Sequence, residues 1–81
     1  MKPKTSIDSL DYVIELLEKG IMQQQQNVDE WLGRVEFYEG EGWDDITEQA
    51  RRILQRSIDE LNNLRKHKER LQELKEREIS A

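Results

Sequence analysis

The chain contains no cysteine, one proline, four glycines and few aromatics: two tryptophans, two tyrosines and one phenylalanine. Each scarcity excludes something. Without cysteine there is neither a disulfide nor thiolate chemistry, and the redox compartment is left open. With proline confined to Pro3, no later helix is broken by a missing amide. No apolar run approaches the ~18 residues of a membrane span, so no membrane is expected as a partner. The opening MKPKTSIDSL has two lysines but no apolar run behind them, unlike a signal peptide, and the expected location is cytoplasmic.

Apolar residues make up 35% of the 81 and charged residues 38%. Globular domains average roughly 45–50% apolar, so this mixture suits long solvated helices with one apolar stripe better than a compact globule. A chain of this size forms one domain at most, residues 1–81, with a core that barely offsets chain entropy. The net charge of −5 conceals a division. Residues 1–45 carry four basic and eleven acidic side chains, residues 46–81 nine basic and seven acidic, so the two halves suit each other as packed neighbours.

Spacing supplies the architecture. From Ile7, steps of 3, 4, 3, 4 reach Leu10, Ile14, Leu17, Ile21, Gln24, Val28, Trp31, Val35 and Tyr38, and only Gln24 is polar. That is a heptad seam of one long helix, expected over 7–38. Thr5 or Ser6 is its expected N-cap, with Asp8 in the first turn and Pro3 just outside. Gly20, after Glu18-Lys19, resembles a helix C-terminus, and a break there makes three helices; Leu17 and Ile21 keep phase across it, which favours a continuous helix. In the second half Ile46, Ala50, Ile53, Leu54, Ile58, Leu61, Leu64, Leu71 and Leu74 repeat near 3.6, with Ser57 and Lys68 at weaker seam positions. A second helix is expected over 45–78, fraying at Ile79-Ser80-Ala81 and capped by Asp45 with Glu48, or by Asp44. Between them, over 39–44, Gly40 and Gly42 end one helix and the aspartates start the next. The expected fold is all-α: an antiparallel helical hairpin that dimerises into a four-helix bundle or a coiled-coil-like assembly.

Chemistry-bearing motifs are thin. The acidic turn fails as a calcium loop: counted from Glu39, position 5 is Trp43 and position 6 is Asp44, where a ligand and a glycine are required. His67 is the only histidine and follows Leu64 instead of the Glu-x-x-His of a di-iron bundle, so a solvated histidine and no metal are expected. Nor is there a phosphate-cradling glycine loop, a serine with an evident base, or a sign of a small-molecule substrate. The expectation is no enzyme and no cofactor. The run QQQQN at 23–27 extends the helix, and Gln24 on the seam is either a register device or merely tolerated.

Trp31-Leu32-Gly33 is similar to the Trp-x-Gly signature of small type VII secretion substrates, which are helical hairpins that dimerise. The similarity covers three residues and implies a secreted hairpin. In that family the motif marks the turn, whereas here the seam continues past it to Val35 and Tyr38, and no tyrosine follows Tyr38 to supply the family's C-terminal Tyr-x-x-x-Asp/Glu signal.

Two helices cannot bury every apolar flank. Val13, Leu16, Met22, Leu32 and Phe37 on the first helix, with Ile53 and Ile58 on the second, lie outside a single seam, and such surplus marks an association surface. The expected function is therefore protein–protein interaction, with itself and with another protein. The residues expected to carry it are Leu17, Ile21, Gln24, Val28, Trp31, Leu32, Tyr38, Trp43, Ile53, Ile58, Leu61 and Leu64. Trp43 is either a staple over the helix end or an exposed anchor. The alternative is nucleic-acid binding by a second-helix stripe of Arg52, Arg56, Lys66, Arg70 and Arg77. Asp59 and Glu73 interrupt that stripe and the chain is acidic, so a solvated face is the expectation and nucleic acid is not an expected partner.

Overall fold

The computed structural model describes the backbone of residues 5–80 and the side chains of residues 9–79. Pro3, the side-chain caps expected from Thr5 or Ser6, the side chains of Ile7 and Asp8, and Ala81 lie outside what it describes, whereas Ile79 and Ser80, expected to fray, continue the second helix. Two helices, α1 (Thr5–Glu41) and α2 (Asp44–Ser80), pack against each other as an antiparallel hairpin, and the described residues contain no strand. The result is a rod 62 Å long and 16 by 13 Å across. Its radius of gyration is 18.2 Å, where a compact chain of this length has about 12 Å. A rod this thin buries one stripe per helix and no three-dimensional core.

In α1 every seam position from Leu10 to Tyr38 is buried or half-buried. Gly20, Gly33 and Gly40 all lie within the helix, so the break at Gly20 does not occur. Each interior glycine costs about 1 kcal/mol relative to alanine. The packing of Leu17 and Ile21, which flank Gly20 on the seam, offsets that cost, because long helices in proteins are held mainly by their packed face.

The chain turns at Gly42 alone. Gly42 adopts φ 77°, the left-handed conformation that glycine takes without a Cβ penalty. Its amide donates to the Glu39 carbonyl at 3.1 Å, and the Trp43 amide donates to the Tyr38 carbonyl at 3.2 Å. This bond pair, with an apolar contact across it, is the Schellman helix ending. The contact is the Tyr38–Trp43 ring pair at 6.0 Å. Gly40 therefore does not stop the helix, and α1 runs on past Tyr38 to Glu41.

The expected caps of α2 are also corrected. Trp43 occupies the N-cap place: its carbonyl accepts from the Thr47 amide at 2.9 Å and from the Thr47 hydroxyl at 2.7 Å. Asp44 and Asp45 are the first residues of the helix, exposed, where their charges meet the positive end of the helix dipole. Among the described residues neither makes a capping hydrogen bond, and the Asp45–Glu48 capping box is not formed.

The seam of α2 also differs from the expected stripe. Ile46 and Leu74 are 46% and 45% exposed, while Thr47 and Ser57 are buried to 4% and 6%. The residues facing α1 are Thr47, Ala50, Leu54, Ser57, Leu61, Leu64, Lys68, Leu71 and Lys75, again spaced 3, 4, 3, 4. The apolar stripe of α2 is wider than its seam. Its inner edge packs on α1, and its outer edge (Ile46, Ile53, Leu74) is left on one side of the hairpin.

Candidate functional surface

Cross-helix bonds fix how the two helices lie. Glu39 pairs with Arg51 near the turn, Gln25 accepts from Arg65 at 2.9 Å, Glu18 pairs with Lys68 at 3.1 Å, and Asp11 pairs with Lys75 near the open end. Each step toward the N-terminus of α1 is matched by a step toward the C-terminus of α2. Midway, Gln24 donates to the Ser57 carbonyl at 3.0 Å and Asn27 reaches the Ser57 hydroxyl at 3.5 Å. Gln24 thus ties one register across an otherwise apolar seam, the device a polar seam residue supplies in coiled coils.

These contacts also distinguish two flanks. With seam residues as heptad positions a and d, Asp11, Glu18, Gln25, Leu32 and Glu39 of α1 occupy the e positions, as Arg51, Ile58 and Arg65 do in α2. The Glu39–Arg51 and Gln25–Arg65 bonds place e against e. Seam lysines Lys68 and Lys75, with side chains 28% and 34% exposed, lay their stems along the apolar seam and carry their charges to acids on this same flank. Including the neighbouring b positions, the described residues of this flank hold nine acids against Arg51, Arg65 and the two seam lysines. It is the paired, acidic flank.

By elimination, g faces g on the other side. Here Val13 and Leu16 of α1 adjoin Leu74 of α2 at the open end, and Phe37, Trp43 and Ile46 gather at the turn. All six are between 40% and 57% exposed. The ring of Phe37 meets Trp43 edge-on at 6.1 Å, so the indole leans toward this flank. Half-buried Ile53 lies between the ends, and Arg34 covers the Trp31 ring at 4.6 Å. Between the two apolar patches lies a waist that carries the polar side chains of Gln23, Asn27, Glu30, Glu60, Asn63 and His67 around two shallow, open depressions. The first, beside Gly20, is mainly polar, and the second is mostly apolar at its floor, where Leu64 lies. Charges on this flank nearly cancel: Glu30, Glu41 and Glu60 against Arg34, Arg56, Arg70 and Arg77. It is the open flank.

Most residues expected to carry interaction are used within the chain. Leu17, Ile21, Gln24, Val28, Trp31, Tyr38, Leu61 and Leu64 all lie on the intrachain seam, buried or half-buried. Leu32 and Ile58 sit together on the paired flank, Leu32 exposed and Ile58 half-buried. Trp43 unites both expectations: it caps the turn against Tyr38, yet it is 46% exposed. Ile46 and Leu74 joined the expected seam and belong instead to the surface. What gives them away is the spacing from Thr47 to Lys75, which the larger apolar residues beside it conceal.

Of the arginine and lysine stripe, Arg52 pairs with Glu48 one turn away at 3.6 Å. Arg56, Lys66, Arg70 and Arg77 are exposed on α2, with Asp59 and Glu73 exposed among them. His67 is exposed at the waist. Among the described residues no three His, Asp or Glu side chains converge as a metal site would require, and no helix is long and apolar enough to cross a membrane. Trp31-Leu32-Gly33 lies inside α1, well before the turn at Gly42. Compared with protein-family models, curated proteins and solved structures, the chain matches none.

Proposed function

We propose that the chain is a small, cytoplasmic, non-enzymatic protein–protein interaction module, an adaptor, regulator, assembly subunit or inhibitor, that homodimerises into a four-helix bundle. One observation carries this reading. Ten large apolar side chains of a two-helix rod are at least 40% exposed, among them Met22 and Phe37 at 65% and 57%. Six of them gather in two patches on one flank, and packing against further helices removes such surface from water.

Sedimentation equilibrium at micromolar concentration tests the reading and is expected to give twice the 9.7 kDa chain mass. A monomer that unfolds cooperatively overturns it. The competing class, nucleic-acid binding through Arg56, Lys66 and Arg70, has its own signature, because neutralised phosphates release counterions and affinity falls steeply with salt. With a net charge of −5, no RNA or duplex binding tighter than about 10 µM is expected near physiological salt. Tight, salt-sensitive binding lost in an Arg56→Ala, Lys66→Ala, Arg70→Ala chain would replace the first reading with the second.

A further inference from the structure

The two flanks differ in what they can receive, and we infer that the open flank is the homodimer interface, with a second copy of this chain as its occupant. The inference rests on the proposed dimer and adds its location. Three observations carry it. The first is charge. The described residues of the paired flank hold nine acids against Arg51, Arg65 and the ammonium groups of Lys68 and Lys75. Two copies brought together there, each with a surplus of five negative charges, therefore repel. On the open flank three acids face four arginines, and two copies meet at near neutrality.

The second observation is layout. Apolar patches lie at both ends of the open flank, Val13, Leu16 and Leu74 at one and Phe37, Trp43 and Ile46 at the other, with the polar waist between. The midpoint of Leu16 and Phe37 on α1 falls beside Asn27, and that of Ile46 and Leu74 on α2 falls at Glu60. Asn27 and Glu60 both belong to the waist. The pattern therefore reads the same from either end. A two-fold contact uses one patch on both subunits, so such a surface matches itself: apolar meets apolar and polar meets polar. The third is size. A face 62 Å long and 16 Å wide offers about 1,000 Å², more than the ~800 Å² per partner of a standard interface. The e-flank ion pairs stay outside, solvated, on both edges of the bundle.

Charge-introducing variants of the full chain locate the interface. Leu16→Glu and Phe37→Glu alter exposed positions, so helicity and the intrachain seam are expected to persist. Each enters a two-fold interface twice, and each is expected to weaken the dimer at least ~100-fold in sedimentation. Met22→Glu and Leu32→Glu, equally exposed on the paired flank, are expected to shift it less than ~3-fold. A second readout needs no charge: in a Trp31→Phe chain, dilution through the dimer–monomer transition is expected to shift Trp43 emission to longer wavelength as its indole meets water. A wild-type dimer broken by Leu32→Glu and untouched by Leu16→Glu, or a Trp43 spectrum that ignores dissociation, overturns the location alone. A monomeric wild type overturns the dimer reading and the location with it.

Discussion

The paired flank and the open flank are made by the same two helices, at the same depth, over the same length. One is laced by Glu39–Arg51, Gln25–Arg65, Glu18–Lys68 and Asp11–Lys75; the other offers Val13, Leu16, Phe37, Ile46 and Leu74 to solvent. Exposed ion pairs contribute little stability, so the lacing does not hold the hairpin together. It directs: opposite charges fix which side of α2 turns toward which side of α1, and like charges repel neighbours from that side. The apolar flank is the converse, costly in water and open to a partner. A hairpin whose cross-helix ion pairs are all on one side and whose surplus apolar surface is mainly on the other has an inside and an outside although it has almost no core.

The largest effect is expected where neither flank is involved. Leu61, 4% exposed in the seam, serves both sides equally, and Leu61→Ala is expected to cost about 2–5 kcal/mol in urea unfolding. If an open-flank truncation such as Val13→Ala cost as much in the isolated hairpin, the distinction between seam and flank would fail.

Next comes the tip. Trp43 is only partly buried, against Tyr38 and Phe37. Trp43→Ala is therefore expected to cost about 1–2 kcal/mol, short of the ~3–5 of a fully buried aromatic. A full-sized loss would make the indole core rather than surface.

Glycines sharpen the geometry. Gly42→Ala forces a Cβ into φ 77° and is expected to destabilise by about 1–2 kcal/mol. A Cβ at Gly33 or Gly40 meets no neighbouring atom, so alanine there is expected to stabilise by about 0.5–1 kcal/mol in thermal melts. Opposite signs at Gly40 and Gly42 would locate the turn in solution to within two residues. Equal losses at both would restore the earlier helix end.

The smallest effect belongs to the paired flank. Removing one partner, as in Glu39→Gln, breaks a pair in which both side chains are over half exposed, and the expected cost is about 0.2–1 kcal/mol. Measured in 1 M salt, that cost is expected to vanish, because screening there acts within ~3 Å. A loss that survives high salt would mean the flank is held by packing, and the contrast with the open flank would weaken.

How much of this was legible depends on the width of each stripe. In α1 the apolar residues fall on a narrow 3-4-3-4 line, Gly20 does not shift the phase, and the helix could be traced residue by residue. At the turn, composition pointed to the place but not to the residue: two glycines and two aspartates compete, and only the φ of Gly42 and the carbonyl of Trp43 separate them. For the interaction surface the sequence was a poor guide. The most conspicuous apolar residues are those the hairpin buries in itself, and the surface left over consists of what the seam excludes.

Alternation of apolar and polar residues by itself determined that this chain makes two long helices, where they separate, and that they lie antiparallel. These follow from local spacing and from a connection too short for anything else. Which edge of α2 meets α1 was decided only by tertiary structure. Ile46, Ile53 and Leu74 on one edge and Thr47, Lys68 and Lys75 on the other lie about a seventh of a turn from the line of Ala50, Ser57, Leu64 and Leu71, and by hydrophobicity the first set should win. The second wins because Thr47 is small enough to be buried beside the turn and its lysines reach the acids of α1. Neither the fit of small against large nor the reach of a charge exists until the two helices are side by side.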